Sequence, residues 1–192
     1  MNKYPTPNAW IAQAPLYVPG SHTIDGHDDI AVLSANENPF GPADAVKEHL
    51  QSAAQNLHRY PEGTAHALRG ALADIHGLAA ERIIIGAGSD EIISALMRVY
   101  AGPGTSVVYT QHGFLMYKIA ATNVGATPVC ALEVDRKLSV DNILRIIDET
   151  TRVVCIANPN NPTGHYLNKD AVTYLIENIP AHCVVLLDAA YA

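Results

Sequence analysis

Apolar residues follow two patterns that alternate along most of the chain. Short runs of consecutive apolar residues, of strand length, are followed by longer stretches in which apolar residues return every three or four positions. The first pattern is typical of buried strands and the second of amphipathic helices. Strands that alternate with helices predict βαβ units, and therefore a mostly parallel sheet covered by helices on both faces.

The individual elements follow from these runs and from the residues that flank them. We expect Ser139 to cap a helix, and Gly77 and Pro180 each to end one. Residues 1–35 are rich in proline, glycine and polar residues, which predicts an extended N-terminal arm. The predicted strands are 81–86, 105–110, 127–134, 152–159 and 183–191. The predicted helices are 43–57, 65–77, 89–100, 114–125, 139–150 and 168–180.

The composition is typical of a globular protein and argues against two classes of partner. The 192 residues carry a net charge of −7, and their 12 lysines and arginines are scattered, which argues against a nucleic-acid interface. The sequence contains no apolar stretch of membrane-spanning length, and the N-terminus has no apolar core of signal-peptide length. We therefore expect a cytoplasmic protein without membrane or nucleic-acid partners.

Two groups of potential metal ligands have spacings that favour ordinary structural roles. Cys130, Cys155 and Cys183 lie in apolar runs without CxxC spacing, so we expect small, buried, reduced core residues. The stretch HTIDGHDD, at 22–29, fits neither a helical histidine pair nor a zinc-finger spacing. We expect an exposed polar loop there and no metal site.

Four unusual stretches fall at the carboxyl ends of predicted strands, which is where parallel sheets bind ligands. In the first, the glycines of GAG at 86–88 allow close backbone approach before a helix begins at Ser89. Free N–H groups at a helix start favour phosphate. The same residues also fit a tight turn with Ser89 as the N-cap, and Asp90 and Glu91 already satisfy the helix dipole.

The second and third stretches offer an aromatic ring and side-chain amides. Phe114 begins a helix directly after a strand, where it can stack on a planar ligand or fill the core. In ANPNNPTG, Asn158, Asn160 and Asn161 stand among prolines, which are ordinary turn formers. One asparagine would suffice for a turn, whereas an amide at a strand end can also donate to a ligand oxygen.

The fourth stretch, LLDAAY, places a carboxylate at the end of an almost wholly apolar strand. Burying the charge of Asp188 there costs free energy unless the carboxylate is paired. Tyr191 follows three residues later and carries a phenolic donor. Asp188 could cap a following helix, or it could face a protonated ring nitrogen. A phosphate cradle, a stacking ring, an amide donor and a carboxylate with a phenol together match the needs of pyridoxal 5′-phosphate.

These motifs resemble a known enzyme family. GAGSDE, ANPNNPTG and LLDAAY, in this order, resemble the fold-type I aminotransferases that depend on pyridoxal phosphate. LYVPG at 16–20, LSANENPFGP at 33–42 and RYPEG at 59–63 are similar to the N-terminal signatures of histidinol-phosphate aminotransferases. The resemblance implies that 36–192 form part of the family's large, α/β cofactor-binding domain.

Carried over position by position, the resemblance implies a role for each matching residue. It implies that cofactor phosphate binds the backbone amides of Ser89 and Asp90, and also Tyr60 from a partner subunit in a homodimer. It implies that Phe114 stacks on the ring. The implied partners of the ring substituents are Asn161 and Tyr191 for the 3-oxygen and Asp188 for the pyridine nitrogen, and the implied substrate-side residues are Tyr17 and Asn36.

The sequence also departs from the family pattern. Ala189 stands where the family often has glutamate, which is not a cofactor ligand in our interpretation. The resemblance implies a Schiff-base lysine, a phosphate-binding arginine and a small C-terminal domain beyond Ala192. We therefore expect no catalytic lysine in this chain, and an inactive chain when it is alone.

The resemblance implies transamination between L-glutamate and imidazole-acetol phosphate in histidine biosynthesis. Transamination of aromatic amino acids is the alternative within the family, because close relatives share much of the pattern. Outside the family, the chain could act only as a binding or interaction module. A nucleotide-binding α/β domain fits less well, because GAGSDE is not a full GxGxxG and the asparagines, Asp188 and Tyr191 would be unexplained.

Overall fold

The computed structural model describes residues 6–18, 21, 23–27 and 30–192. The chain divides into two compact units: Met1–Tyr17 together with Gly86–Ala192, and Val18–Ile85. The predicted arm, 1–35, therefore contributes residues to both units.

The smaller unit contains two helices and a short 3₁₀ turn. Helix α1 spans Asp44–Ala54, helix α2 spans His66–His76, and the turn spans Ala80–Arg82. Gly77 ends α2 in the left-handed conformation, with φ of 62°, which confirms the predicted helix stop. The side chain of Arg69 fixes the connection after α2, because its Nε and Nη2 donate to the carbonyl of Ala80 at 3.0 and 2.6 Å.

The larger unit is built on a sheet of four parallel strands, as the alternating pattern predicts. The strands are β1 (Ser106–Thr110), β2 (Thr127–Ala131), β3 (Thr151–Ala157) and β4 (Val184–Asp188), in the order β2-β1-β3-β4. The helices are α3 (Ser89–Tyr100), α4 (Leu115–Asn123), α5 (Val140–Arg145) and α6 (Lys169–Asn178). The Ser139 side chain accepts a hydrogen bond from Asn142 N at 3.3 Å, which confirms the predicted cap of α5.

Apolar residues cover both faces of the sheet. On one face, Val153 and Cys155 of β3 pack in a cluster with Met97 of α3 and Tyr117 of α4. On the opposite face, the intervening residues of β3 pack against α5 and α6 in a second cluster. Alternate residues of one strand thus serve two separate cores, which explains why 153–157 of β3 are apolar without interruption.

The predicted strand 81–86 is wrong. After the 3₁₀ turn the backbone is extended at Ile83, but Ile84 is 79% exposed and no strand of the described residues pairs with this segment. An apolar run forms a strand only where a neighbouring backbone supplies the ladder hydrogen bonds.

Two finer expectations also require correction. Gly88, with φ of 79°, occupies the N-cap of α3, so Ser89 is the first helical residue rather than the cap. Only Cys155 of the three cysteines is fully buried. Cys130 is partly exposed because it lies on the edge strand β2, and Cys183 is partly exposed because it precedes β4 at the other edge. None of the helices in the described ranges is long and apolar enough to cross a membrane.

A short 3₁₀ segment of the arm, Ala9–Gln13, is held against α4 by a tryptophan. Trp10 Nε1 donates to the carbonyl of Asn123 at 3.3 Å. Its ring packs on Gly125, where an added Cβ would lie 3.0 Å from Trp10 Cδ2 and Cε2. Gly125 also has φ of 80°, so both its missing side chain and its backbone conformation favour glycine.

Gly125→Ala is therefore expected to displace the Trp10 ring from α4. Trp10 is the single tryptophan of the sequence, so its emission should shift to the red and acrylamide should quench it more strongly. Gly104→Ala is the matched control, since Gly104 has φ of 82° but open space where a Cβ would be. Both variants should lose about 1–2 kcal/mol of unfolding free energy, and an equal spectral change in both would contradict the packing argument.

Glu62 fixes the start of α2. Its carboxylate accepts hydrogen bonds from the hydroxyl and N–H of Thr64 and from the N–H of His66, at 2.6, 2.8 and 2.9 Å. The Thr64 hydroxyl, then these N–H groups, lower the pKa of Glu62 from 4.5 to about 2. Bonds that favour the charged carboxylate stabilise the fold above the unfolded-state pKa.

The stabilising effect of Glu62 should therefore be present above pH 4.5 and be lost as the pH falls toward 2. Carbon-13 NMR of the Glu62 carboxyl should show a midpoint near 2, and Thr64→Ala should raise that midpoint toward 4.5. Glu62→Gln should remove this part of the acid dependence of α2 helicity, measured by circular dichroism. An ordinary Glu62 midpoint in the unsubstituted protein would contradict the capping role.

Candidate cofactor-binding site

The carboxyl ends of three parallel strands carry the residues predicted to contact the cofactor ring, whereas Ser89 and Asp90 begin α3, which no strand directly precedes among the described residues. Ala157 of β3 is in register with Asp188 of β4, and β1 lies on the other side of β3. Phe114 follows β1, the asparagine cluster follows β3, and Asp188 is the last residue of β4. The parallel topology thus brings these segments to the same edge of the sheet.

Asp188 is held by two neutral donors. Its Oδ2 accepts a hydrogen bond from the Tyr117 hydroxyl at 2.8 Å, and its Oδ1 accepts one from Ala190 N at 3.1 Å. Ion pairs among the described residues join Lys47 to Asp44 and His112 to Glu133, so Asp188 has no cationic partner there. A carboxylate held by two neutral donors can still pair with a cationic group of a ligand.

Tyr117 is the functional residue that the sequence reasoning missed. It lies on α4 and is completely buried, and burial, followed by the hydrogen bond to Asp188, raises the pKa of its phenol far above the usual value. The phenol therefore remains a neutral donor at physiological pH. The available signal was an aromatic residue with a polar tip one helical turn after Phe114, in a helix with a large share of apolar residues.

Phe114 stands at the N-cap position of α4 and contacts the same tyrosine. The rings of Phe114 and Tyr117 form an edge-to-face pair, with centroids 5.8 Å apart and planes at 89°. Phe114 is only partly buried and packs against the core cluster of that face. Phe114 therefore packs against the core and keeps part of its ring exposed, and its stacking role stays a prediction.

The three asparagines after β3 have different surroundings. Asn158 is buried and bonds both backbone groups of Leu167, with Nδ2 donating at 3.0 Å and Oδ1 accepting at 2.7 Å. Asn160 donates through Nδ2 to Thr163 Oγ1 at 2.8 Å and to the His112 carbonyl at 3.3 Å. Asn161 makes no side-chain hydrogen bond with any described residue and is partly exposed. Its amide is therefore available to a ligand, whereas the other two shape the loop.

The start of α3 provides backbone donors for an anion. The N–H groups of Ser89 and Asp90 have no acceptor among the described residues. The neighbouring N–H of Ala87 donates to the Glu91 carboxylate at 2.6 Å, so an oxyanion already binds this turn. A Cβ added at Gly86 would lie 2.9 Å from Ile92 Cγ1 and 3.4 Å from Glu91 Oε2, which explains the glycine. The donor set fits a phosphate group.

The remaining predicted residues have these positions. Tyr17 belongs to the larger unit and is 56% exposed. Tyr60 and Asn36 belong to the smaller unit; Tyr60 is 98% exposed, and Asn36 is in the left-handed region with φ of 53°. Tyr191 lies in the turn after β4 and is half exposed. The structure therefore places the predicted residues that follow β1, β3 and β4 at one edge of the sheet, and the role assigned to each site residue stays a prediction.

An open cavity of about 660 Å³ lies beside the asparagine loop. It is lined by His112, by 135–137 and by 162–165, and none of the predicted cofactor residues contributes to its wall. The described residues contain no group of three or more side chains that could hold a metal ion, while His22, Asp28 and Asp29 of the polar loop lie outside them.

Comparison with known proteins identifies the family. The model of the class I and II aminotransferases matches residues 28–192. The chain belongs to this family. The histidinol-phosphate aminotransferase of Ruegeria sp. strain TM1040 is 48% identical over 187 residues, which are 97% of this chain and 52% of the relative. That of Paramagnetospirillum magneticum is 47% identical over the same shares. The chain thus spans about half the length of the curated relatives it matches.

A solved structure supports the same fold. The histidinol-phosphate aminotransferase of Sinorhizobium meliloti, in complex with pyridoxal 5′-phosphate, superposes with a TM-score of 0.79 at 28% identity. The match covers 82% of this chain and 43% of that chain. The predicted fold class, a mostly parallel α/β sheet of the fold-type I aminotransferases, is confirmed.

Proposed function

We propose that this chain is part of an aminotransferase that uses pyridoxal 5′-phosphate and moves an amino group between L-glutamate and imidazole-acetol phosphate. The observation that carries the proposal is Asp188, which ends its strand, has no cationic partner within the described part of the chain, and accepts a hydrogen bond from Tyr117. The protonated pyridine nitrogen of the cofactor is positively charged and carries an N–H donor, so it is a suitable partner for this carboxylate. The identities to histidinol-phosphate aminotransferases support the choice of substrate.

Each site residue then has a distinct task. The amides of Ser89 and Asp90 bind the cofactor phosphate, Phe114 stacks on the ring, and the free amide of Asn161 donates to the 3-oxygen. When bound, the cofactor supplies an electron-withdrawing ring that stabilises negative charge on the substrate carbon. Asp188 holds the proton on the ring nitrogen, which keeps the ring electron-poor. Tyr191 shares the 3-oxygen with Asn161.

The proposal includes a homodimer in the cytoplasm. Tyr60 would cross to the phosphate of the partner subunit, and its 98% exposure supports such a reach. Tyr17 and Asn36 would contact the substrate. Gel filtration of the full-length protein tests the dimer, because a monomer would remove the proposed role of Tyr60.

Amino transfer from L-glutamate, assayed with the full-length protein, tests the reaction. Imidazole-acetol phosphate should be the preferred acceptor, with phenylpyruvate as the competing aromatic substrate. A preference for phenylpyruvate would instead support an aromatic amino-acid aminotransferase. If neither acceptor reacts and pyridoxal phosphate leaves the absorbance spectrum unchanged, the function is wrong, and a role in binding other molecules gains support.

A further inference from the structure

We infer that Tyr117 is a positioning residue for the cofactor ring, and that its hydroxyl aims the Asp188 carboxylate at the pyridine nitrogen. The inference rests on the proposed function. It assigns the task to a side chain on another element, α4, which sequence motifs do not mark. Tyr117 donates to Asp188 as a neutral group, and its ring contacts Phe114.

The Asp188 carboxylate is held through both of its oxygens. Tyr117 OH donates to Oδ2 at 2.8 Å, while Ala190 N, in the turn after β4, donates to Oδ1 at 3.1 Å. Donors on the two oxygens restrict rotation of the carboxylate about its side-chain bonds. Each oxygen still has a further acceptor position, so a ligand N–H can bind without displacing either donor.

The neutral character of the donors matters as much as their geometry. An arginine or lysine in place of Tyr117 would neutralise Asp188 and weaken its attraction for a protonated ring. The thiol of Cys155, which is fully buried, also stays neutral, because burial and then the charge of Asp188 raise its pKa. Tyr117 therefore orients the carboxylate without placing a positive charge beside it.

The ring of Tyr117 adds a second constraint. It forms the edge-to-face pair with Phe114, the proposed stacking residue, at 5.8 Å. One buried side chain thus touches both the group proposed to meet the face of the cofactor and the group proposed to meet its nitrogen. Tyr117→Phe separates these contacts, because it keeps the ring and removes the hydroxyl.

A ligand pair isolates the role of the hydroxyl. The full-length protein and its Tyr117→Phe variant are titrated with pyridoxal 5′-phosphate and with the analogue in which carbon replaces the ring nitrogen. Loss of a hydrogen bond that orients a charged group should weaken binding of pyridoxal phosphate about 10-fold. Binding of the analogue should change less than about 2-fold, because it has no N–H for Asp188. A structural defect would weaken both ligands equally.

A surface tyrosine provides the matched control. Tyr174→Phe removes a half-exposed phenol from α6 and should alter neither affinity. If Tyr117→Phe does not fold, 4-fluorophenylalanine at this position fills the space of the hydroxyl without donating. Equal losses for the two ligands, or no loss for either, would overturn the role of Tyr117 while leaving the proposed function intact. If the unsubstituted protein binds neither ligand, the proposed function fails, and the inference fails with it.

Discussion

Asp188→Ala is expected to lower the rate of amino transfer by the full-length protein at least about 100-fold. The substitution removes the only proposed partner of the cofactor's ring nitrogen, and the ring then loses the proton that makes it electron-poor. The effect should fall on kcat rather than on KM, because the charge that Asp188 stabilises develops as the substrate reacts. Steady-state kinetics with L-glutamate and imidazole-acetol phosphate measure it.

Two further variants define the cause of this loss. Asp188→Asn keeps the size of the side chain and an oxygen that can accept from Tyr117, so it should fold like the unsubstituted protein but lose a similar factor in kcat. Glu177→Gln removes an exposed carboxylate of α6 and should leave kcat within about 2-fold, as is usual for surface substitutions. Near-normal turnover of Asp188→Ala would show that Asp188 does not serve the ring nitrogen.

The sheet of the larger unit could be predicted because the apolar pattern of each short stretch of sequence indicates its strand or helix. The apolar run of β3 supplies both cores, and such a run between two helical patterns admits few interpretations. The helix ends were equally readable where a single residue determines them, as at Ser139 and Gly77. The run 81–86 has the same local signal, yet it lacks a neighbouring strand among the described residues. Pairing is a long-range property that an apolar run does not encode.

The site was predictable to the extent that topology fixes it. Once the sheet is parallel, residues after its strands must share an edge, which brings Phe114 near Asp188 without any knowledge of their contacts. Tyr117, in the first turn of α4, contacts both residues, and only the packing of the fold reveals this. The distinction among the asparagines has the same origin, since the sequence shows three amides and only the fold shows which one makes no hydrogen bond with a described residue.

Asn158→Ala is expected to destabilise the larger unit by about 2–4 kcal/mol in the free energy of unfolding. Asn158 joins the end of β3 to the backbone of Leu167, nine residues later, through one donated and one accepted hydrogen bond. Leu167 is only 6% exposed, so the substitution would leave its N–H and C=O buried without partners. Urea denaturation measures the loss, and Asn178→Ala, which removes a side-chain bond to the Tyr174 carbonyl on the surface, should cost within about 0.5 kcal/mol.

Asn158→Asp tests the reason for an amide at this position. A carboxylate can still accept from the N–H of Leu167, but it cannot donate to the carbonyl, and it places a charge where the side chain is buried. It should therefore be no more stable than Asn158→Ala at neutral pH, despite its nearly identical shape. Because Asn158 lies three residues before Asn161, both variants should also weaken pyridoxal phosphate binding without removing any proposed ligand. Loss of stability with unchanged cofactor affinity would mean that the loop positions Asn161 by other contacts.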